Sequence, residues 1–199
     1  MGKSLWKELS PGKNPPEDVN VVIEILKGGR QRFNLEGEHP FLEGVFSALA
    51  YPSDCGFVPR TCWDSGRPIE VLVLVDERTF PGCIVPARPI AVLKILGADE
   101  KRSDKVLAVP LGDPKYDSVR SAKDLPPHVE EEILHFYTTF KQSLGISANF
   151  EILGWGDENE AKKIVLHGMK VFRRKELTEK GGMDMLKTGE NPELDEDEL

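Results

Sequence analysis

Short runs of apolar, β-branched residues alternate with Gly- and Pro-containing turns over most of the chain. These runs lie at residues 19–25, 69–75, 90–95, 106–109 and 150–153. Each run is too short for an amphipathic helix and is rich in Val and Ile, which pack well on a pleated sheet. The pattern predicts short strands separated by tight turns, and this arrangement favours a compact barrel or closed sheet.

Two stretches carry apolar residues at helical spacing instead. In the first, which follows Pro126 and Pro127, these residues are Val129, Ile133, Phe136, Phe140 and Leu144. The second begins near Asp157, which forms a capping-box pattern with Glu160. The residues on one side of this second helix are Ala161, Val165, Gly168 and Phe172. We therefore predict two helices, each packing one face on the barrel.

The two ends of the chain differ in composition from the middle. Residues 1–18 are rich in Pro, Lys and Gly, and they predict an extended arm attached to the core through Trp6 and Leu9. Residues 190–199 contain six acidic residues and no basic one. Such a run predicts a solvated, disordered tail. The expected organisation is an arm at 1–18, one folded domain at 19–175 and a tail at 176–199.

Charge and composition exclude several classes of function. The chain has 199 residues and a net charge of −8, which argues against a nucleic-acid partner because phosphate backbones favour basic surfaces. It has no apolar run approaching the roughly 20 residues that span a bilayer, and its start lacks a signal-peptide core. We therefore expect no membrane partner and a cytoplasmic location. The three cysteines lack CxxC spacing, so neither a disulfide framework nor a zinc site is indicated.

Several strings in the middle of the chain carry a family resemblance. They are Gly-Phe-Val-Pro-Arg-Thr at 56–61, Phe-Pro-Gly at 80–82, Asp-Lys-Val-Leu-Ala-Val-Pro at 104–110 and Asp-Pro-Lys-Tyr-Asp at 113–117. In their order they resemble family I soluble inorganic pyrophosphatases, and the resemblance runs from about residue 5 to 175. It implies an α+β fold, in which an OB-like five-stranded barrel is flanked by two main helices. It also implies a homo-oligomer.

The resemblance also implies a reaction, the Mg²⁺-dependent hydrolysis of pyrophosphate to phosphate. In this family, carboxylates hold several Mg²⁺ ions, which lower the pKa of the attacking water and neutralise developing charge. Lys, Arg and Tyr side chains hold the phosphates. The most diagnostic string of the family is Asp-x-Asp-Pro-x-Asp, whose three carboxylates converge on the metals.

This chain departs from the family most sharply at that string. The corresponding residues are Ser65, Arg67 and Glu70, so two aspartates are lost and one is replaced by glutamate. A further family aspartate, in Asp-x-Lys, corresponds to Ser103, while Asp104 is expected on the opposite strand face. The lost ligand positions are therefore Ser65, Arg67 and Ser103. No catalytic residue is assigned, because the family's general-base position is Arg67.

Other family positions are kept or changed. The metal ligands implied by the resemblance are Glu70 and Glu24, with Asp99 as a substitute ligand in a loop that aligns poorly. The implied phosphate or anion ligands are Arg32, Tyr51, Lys105 and Lys141. We add Arg67 as an anion ligand because a cation there replaces a metal-binding aspartate of the family. A phosphate-binding arginine of the family corresponds to Glu43, which is a charge reversal, and a tyrosine corresponds to Cys55.

Three functions follow from these departures. The main prediction is a degenerate pseudo-pyrophosphatase that keeps an anion pocket and binds Mg²⁺ weakly or not at all. Arg67 would repel a metal ion there, since like charges about 4 Å apart repel by roughly 4 kcal/mol at an effective dielectric of 20. The first alternative is an active or altered Mg²⁺-dependent diphosphatase that uses Glu24, Glu70 and Asp99. The second is a scaffold subunit of a larger complex.

Overall fold

A computed structural model describes residues 4–35, 41–43, 49–97, 101–143 and 150–188, without the side chains of 141–143 and 180–188. The strands are β1 (Val19–Ile25), β2 (Phe33–Asn34), β3 (Phe41–Leu42), β4 (Asp54–Val58), β5 (Ile69–Val73), β6 (Ile84–Leu96), β7 (Lys105–Pro110) and β8 (Glu151–Gly156). The helices are α1 (Leu5–Glu8), α2 (Pro127–Ser143) and α3 (Glu158–Thr188). Two 3₁₀ turns, Pro114–Tyr116 and Ala122–Asp124, precede α2.

Five strands close into a barrel. Their hydrogen-bonded order is β1-β4-β5-β7-β6, and β6 also pairs with β1, which completes the ring. Strands β5 and β7 run parallel, while the other ring pairs are antiparallel. Strand β8 pairs with the second half of β6 and lies outside the ring. The predicted five-stranded barrel is confirmed.

One strand of the ring, β4, is not evident from the apolar pattern. All five of its residues are buried, but Asp54 and Gly56 interrupt the β-branched run that marks the other strands. A Cβ on Gly56 would lie 1.9 Å from the carbonyl oxygen of Val22, so glycine allows β1 and β4 to approach. The run at 150–153 is a strand as predicted, but it becomes β8 beside the ring.

Alternate residues of the strands face two hydrophobic cores. In β5, Val71 and Val73 pack in a core that includes Ala161 and Val165 of α3. Leu72, between them, packs in a second core with residues of α2, namely Ile133, Phe136 and Tyr137. Strand side chains point alternately to opposite faces, so each strand contributes to both cores.

The two long helices confirm the predicted helical spacing. Helix α2 buries Ile133 and Phe136, while Leu144 lies outside the described residues. At the start of α3 the backbone N–H of Glu160 donates to Asp157 Oδ1 at 2.9 Å. Helix α3 continues to Thr188, beyond residue 176 where the predicted tail begins. Residues 176–180 include good helix formers, which favours its continuation past residue 175. Residues 189–199 lie outside the described part of the chain.

The N-terminal arm contacts the barrel through its predicted anchors. The indole N–H of Trp6 donates to the carbonyl oxygen of Thr61 at 2.7 Å, and the Trp6 ring meets Phe172 edge-on at 5.6 Å. Leu9 packs beside Phe57 in a small apolar cluster. Within the described ranges, no helix has both the length and the apolar character needed to cross a membrane.

The close approach of β1 and β4 predicts a specific sensitivity to mutation. We expect Gly56→Ala to lower the free energy of unfolding by about 3 kcal/mol or more, because the added Cβ overlaps backbone that cannot move without opening the ring. Urea denaturation measures this change.

The matched control is Gly82→Ala. Gly82 has a φ of 89° and no heavy atom within 4 Å of an added Cβ, so backbone strain alone should cost about 1 kcal/mol there. Equal effects of the two substitutions would contradict the close-approach argument.

Candidate functional site

The centre of the site is a pair of opposite charges on neighbouring parallel strands. Glu70 near the start of β5 and Lys105 at the start of β7 are register partners, so their side chains emerge side by side. The Lys105 ammonium contacts the Glu70 carboxylate and donates to Ser103 Oγ at 3.3 Å. The parallel pairing therefore places Glu70, Lys105 and the lost ligand position Ser103 together.

A second set of charges surrounds Arg32. Its guanidinium donates through Nη2 to Glu24 Oε2 at 3.0 Å and through Nη1 to Glu70 Oε1 at 3.2 Å. Its Nε lies 3.3 Å from Glu43 Oε2. The side chains of Glu24, Glu70 and Glu43 are 2%, 17% and 38% exposed, so the three carboxylates bind one guanidinium at increasing distance from the interior.

Arg67 completes the cluster from the loop before β5. A cavity of about 220 Å³ is lined by Arg32, Asn34, Glu43, Arg67, Pro68 and Glu70. Arg67 is exposed and forms no ion pair with any carboxylate in the part of the chain that the structure describes. Its guanidinium is therefore available to a ligand in this cavity, and an anion fits that chemistry.

Burial changes the protonation of groups behind the cavity. Burial, together with the positive charges of Arg32 and Arg67, lowers the pKa of Lys105 to about 8, although Cys55 acts in the opposite direction. Burial raises the pKa of Cys55 to about 11 and raises the pKa of the Tyr51 hydroxyl. Lys105 therefore titrates near neutral pH, while Cys55 and Tyr51 stay protonated there.

The structure brings together most of the predicted site residues. Glu24, Arg32, Arg67, Glu70 and Lys105 form the cluster described above. Tyr51 lies behind it, and its ring packs on Phe136 at a centroid distance of 4.7 Å. The predictions for Asp99 and for the Lys141 side chain fall outside the described residues.

Asp104, which is next to the lost ligand position Ser103, and the lost ligand position Ser65 both lie away from this cluster. Asp104 is fully buried and accepts hydrogen bonds from the Ile95 N–H at 2.8 Å and from Arg102, as expected for the strand face opposite Lys105. Ser65 lines a separate cavity with Trp63, Asp64, Lys101, Arg102 and His167. Ser65 therefore does not line the cavity that Arg67 and Glu70 share.

The described residues of this site do not fit a cluster of Mg²⁺ ions. Mg²⁺ takes hard oxygen ligands, but the two carboxylates kept from the predicted metal set, Glu24 and Glu70, are each bound to Arg32. Glu70 also contacts Lys105, and the exposed cation Arg67 lines the same cavity. Among the described residues, no group of three or more His, Cys, Asp or Glu side chains is arranged to hold a metal ion.

The contact between Glu43 and Arg32 is not predicted from the sequence. The Glu43 N–H donates to the Arg32 carbonyl at 2.9 Å, which extends the pairing of β2 with β3 and brings the two side chains together. Strands of two residues leave no detectable period, so only the charge reversal at Glu43 marked this position.

A larger cavity of about 350 Å³ lies at the other end of β5. It is lined in part by Lys27, Ser53, Asp76, Lys115 and Glu132. None of the predicted site residues that the structure describes lines it, and Lys115 is already paired with Asp76. The smaller cavity at Arg67 is therefore the better candidate for a functional site.

Fold and site together define a class of protein, in which a closed five-stranded barrel carries a charged pocket where β5 and β7 begin. The inorganic pyrophosphatase family profile matches residues 21–173, so the chain belongs to the inorganic pyrophosphatase family.

Individual relatives agree with this assignment. A Haloferax volcanii protein named inorganic pyrophosphatase is 40% identical over 172 residues, which cover 85% of this chain and 96% of that protein. A Nostoc protein of the same name is 36% identical over 169 residues, covering 82% and 96%. The crystal structure of inorganic pyrophosphatase from Thermus thermophilus has a TM-score of 0.78 at 28% identity, covering 86% of this chain and 99% of that one.

The ion-pair cluster predicts that removing the charge of each carboxylate lowers the free energy of unfolding by a different amount. We expect Glu70→Gln to lower the free energy of unfolding by about 2 kcal/mol, because it leaves Lys105 and part of Arg32 without counter-charge in a mostly buried position. Urea denaturation measures the loss.

Glu43→Gln is the matched control within the same cluster. It removes the same charge from a more exposed carboxylate and should cost less than about 1 kcal/mol. A cost for Glu43→Gln equal to that for Glu70→Gln would contradict the burial order given above.

Proposed function

We propose that this protein acts on inorganic pyrophosphate and hydrolyses it to phosphate, the activity for which its relatives are named. Membership of the family supports the reaction class. At the site, one observation carries the proposal: Arg32 and Arg67 line a single cavity of about 220 Å³. Guanidinium groups bind phosphate oxygens through paired N–H donors, so this cavity suits a compact, highly charged phosphate anion.

The residues of this pocket would bind the phosphate groups and neutralise their negative charge. Arg67 binds phosphate oxygens at the mouth, and Arg32 adds a second guanidinium held in place by Glu24 and Glu70. Lys105 neutralises Glu70, so the carboxylate repels the ligand less. Fixed cations at the phosphates also stabilise charge that develops on a leaving phosphate.

A second candidate is an anion-binding protein without hydrolytic activity. The observation that favours it is the state of the carboxylates: Glu24 and Glu70 are paired with cations, and Arg67 stands where the family resemblance implies a metal-binding aspartate. Fold alone does not carry an activity when side chains of the site differ.

Phosphate release from pyrophosphate separates the two candidates. The purified protein is assayed with Mg²⁺, with Mn²⁺ and with chelator. Turnover of about 1–10³ s⁻¹, the usual range for enzymes, is the expected result for the proposed hydrolase.

The matched variant carries Ser65→Asp, Arg67→Asp and Ser103→Asp. Phosphate release by this variant, with none by the wild type under any condition, would reject the hydrolase and support the second candidate. Release by the wild type at enzyme rates would reject the second candidate.

The low pKa of Lys105 predicts a pH dependence of anion binding. With a pKa of about 8 in the folded protein, Lys105 is mostly charged at pH 7 and mostly neutral at pH 9. Above pH 8 the Glu70 charge is no longer balanced by Lys105, so we expect the affinity for sulfate to fall severalfold between pH 7 and 9. Sulfate is a suitable probe because its own charge is constant over this range.

The Lys105→Met variant tests the assignment of this pH dependence. It should bind sulfate more weakly than the wild type at pH 7 and show a flatter profile up to pH 9. Isothermal titration calorimetry measures both, and a wild-type slope retained in Lys105→Met would show that another group titrates.

Resemblance to the family also suggests the assembly state, the location and the metal to test. We expect a homo-oligomer in the cytoplasm, with Mg²⁺ as the metal to test first. The scaffold alternative, with a role for residues 176–199 in a larger complex, stays a prediction, and removing those residues would test it through the assembly state.

A further inference from the structure

The three carboxylates on Arg32 are not equivalent. Glu24 is on β1 and Glu70 on β5, so both are fixed by the barrel, and their side chains are 2% and 17% exposed. Glu43 comes after the two-residue strand β3 and is 38% exposed. Of the three, Glu43 can therefore separate from Arg32 at the smallest free-energy cost, because its carboxylate is the least buried.

The position of Glu43 is where an anionic ligand would bind. Glu43 lines the cavity together with Arg32 and Arg67, and its Oε2 lies 3.3 Å from Arg32 Nε. Arg32 contacts Glu70 and Glu24 through Nη1 and Nη2, which are not the atom that faces Glu43. A phosphate oxygen that replaced the Glu43 carboxylate would thus meet an arginine already oriented by the interior.

We propose that Glu43 is an internal counter-anion that pyrophosphate displaces from Arg32, so that the pocket binds pyrophosphate without a divalent cation. This inference rests on pyrophosphate being the ligand, as proposed above. Arg67 supplies the second point of attachment, because it lines the same cavity and has no carboxylate partner among the described residues. The two arginines would neutralise the negative charge of pyrophosphate that a metal ion would otherwise neutralise.

Removing the charge of residue 43 should therefore tighten binding. Exposed charge pairs of this kind contribute modestly, so we expect Glu43→Gln to bind pyrophosphate about two- to fivefold more tightly than the wild type in metal-stripped buffer. Glu43→Arg adds a cation and should tighten binding further. Arg67→Gln should weaken it.

Isothermal titration calorimetry of the full-length proteins with inorganic pyrophosphate measures these affinities, first without metal and then with Mg²⁺. The matched controls are Glu77→Gln and Glu77→Arg, which change the same charges at an exposed residue beyond the other end of β5. They should leave the affinity unchanged. Thermal melts check that each variant is folded.

The outcomes distinguish this inference from the proposed function. Affinity of Glu43→Gln equal to or weaker than wild type would overturn the role of Glu43. Binding that requires Mg²⁺ would overturn the metal-free pocket and leave the proposed function standing. No binding and no phosphate release, with or without Mg²⁺, would reject the proposed function and this inference with it.

Discussion

The pairing of unlike charges around Arg32 is the constraint on which the site depends. Three carboxylates, Glu24, Glu43 and Glu70, face three cations, Arg32, Arg67 and Lys105, in and behind one small cavity. Buried charges are tolerated only when they are paired and hydrogen-bonded, so a change at one member alters what the others can bind. The carboxylates kept from the family pattern are thus part of a salt-bridge network.

The barrel sets the geometry of this network. Glu70 and Lys105 meet because β5 and β7 run parallel and in register. Glu24 reaches Arg32 from β1, which approaches β4 closely only because residue 56 is glycine. The closed ring is therefore also what holds unlike charges at contact distance.

Much of this fold follows from patterns in the sequence, and the exceptions have physical causes. Apolar, β-branched runs reveal β1, β5 and β7, which contribute side chains to both cores. Helical spacing reveals α2 and α3, because each buries one apolar face. Strand β4 is hidden, since its burial depends on Asp54 and Gly56, whose roles appear only against neighbouring strands. Residues of the site were found through family resemblance, while the pairing of Glu43 with Arg32 depends on a hairpin too short to leave a period.

Overall sequence identity with relatives and the identity of the few charged residues in the site are separate kinds of evidence on function. The 40% identity with a named inorganic pyrophosphatase extends over 172 residues. Function depends on a few charges, and here residue 67 is a cation while residue 43 is an anion. A metal ion must displace Arg32 and Lys105 from Glu24 and Glu70, whereas an anion that binds at Arg32 Nε must displace only Glu43. Because Glu43 is the most exposed of the three carboxylates, the second exchange is the easier one, and this difference supports the proposal that the cavity binds a phosphate anion without a divalent cation.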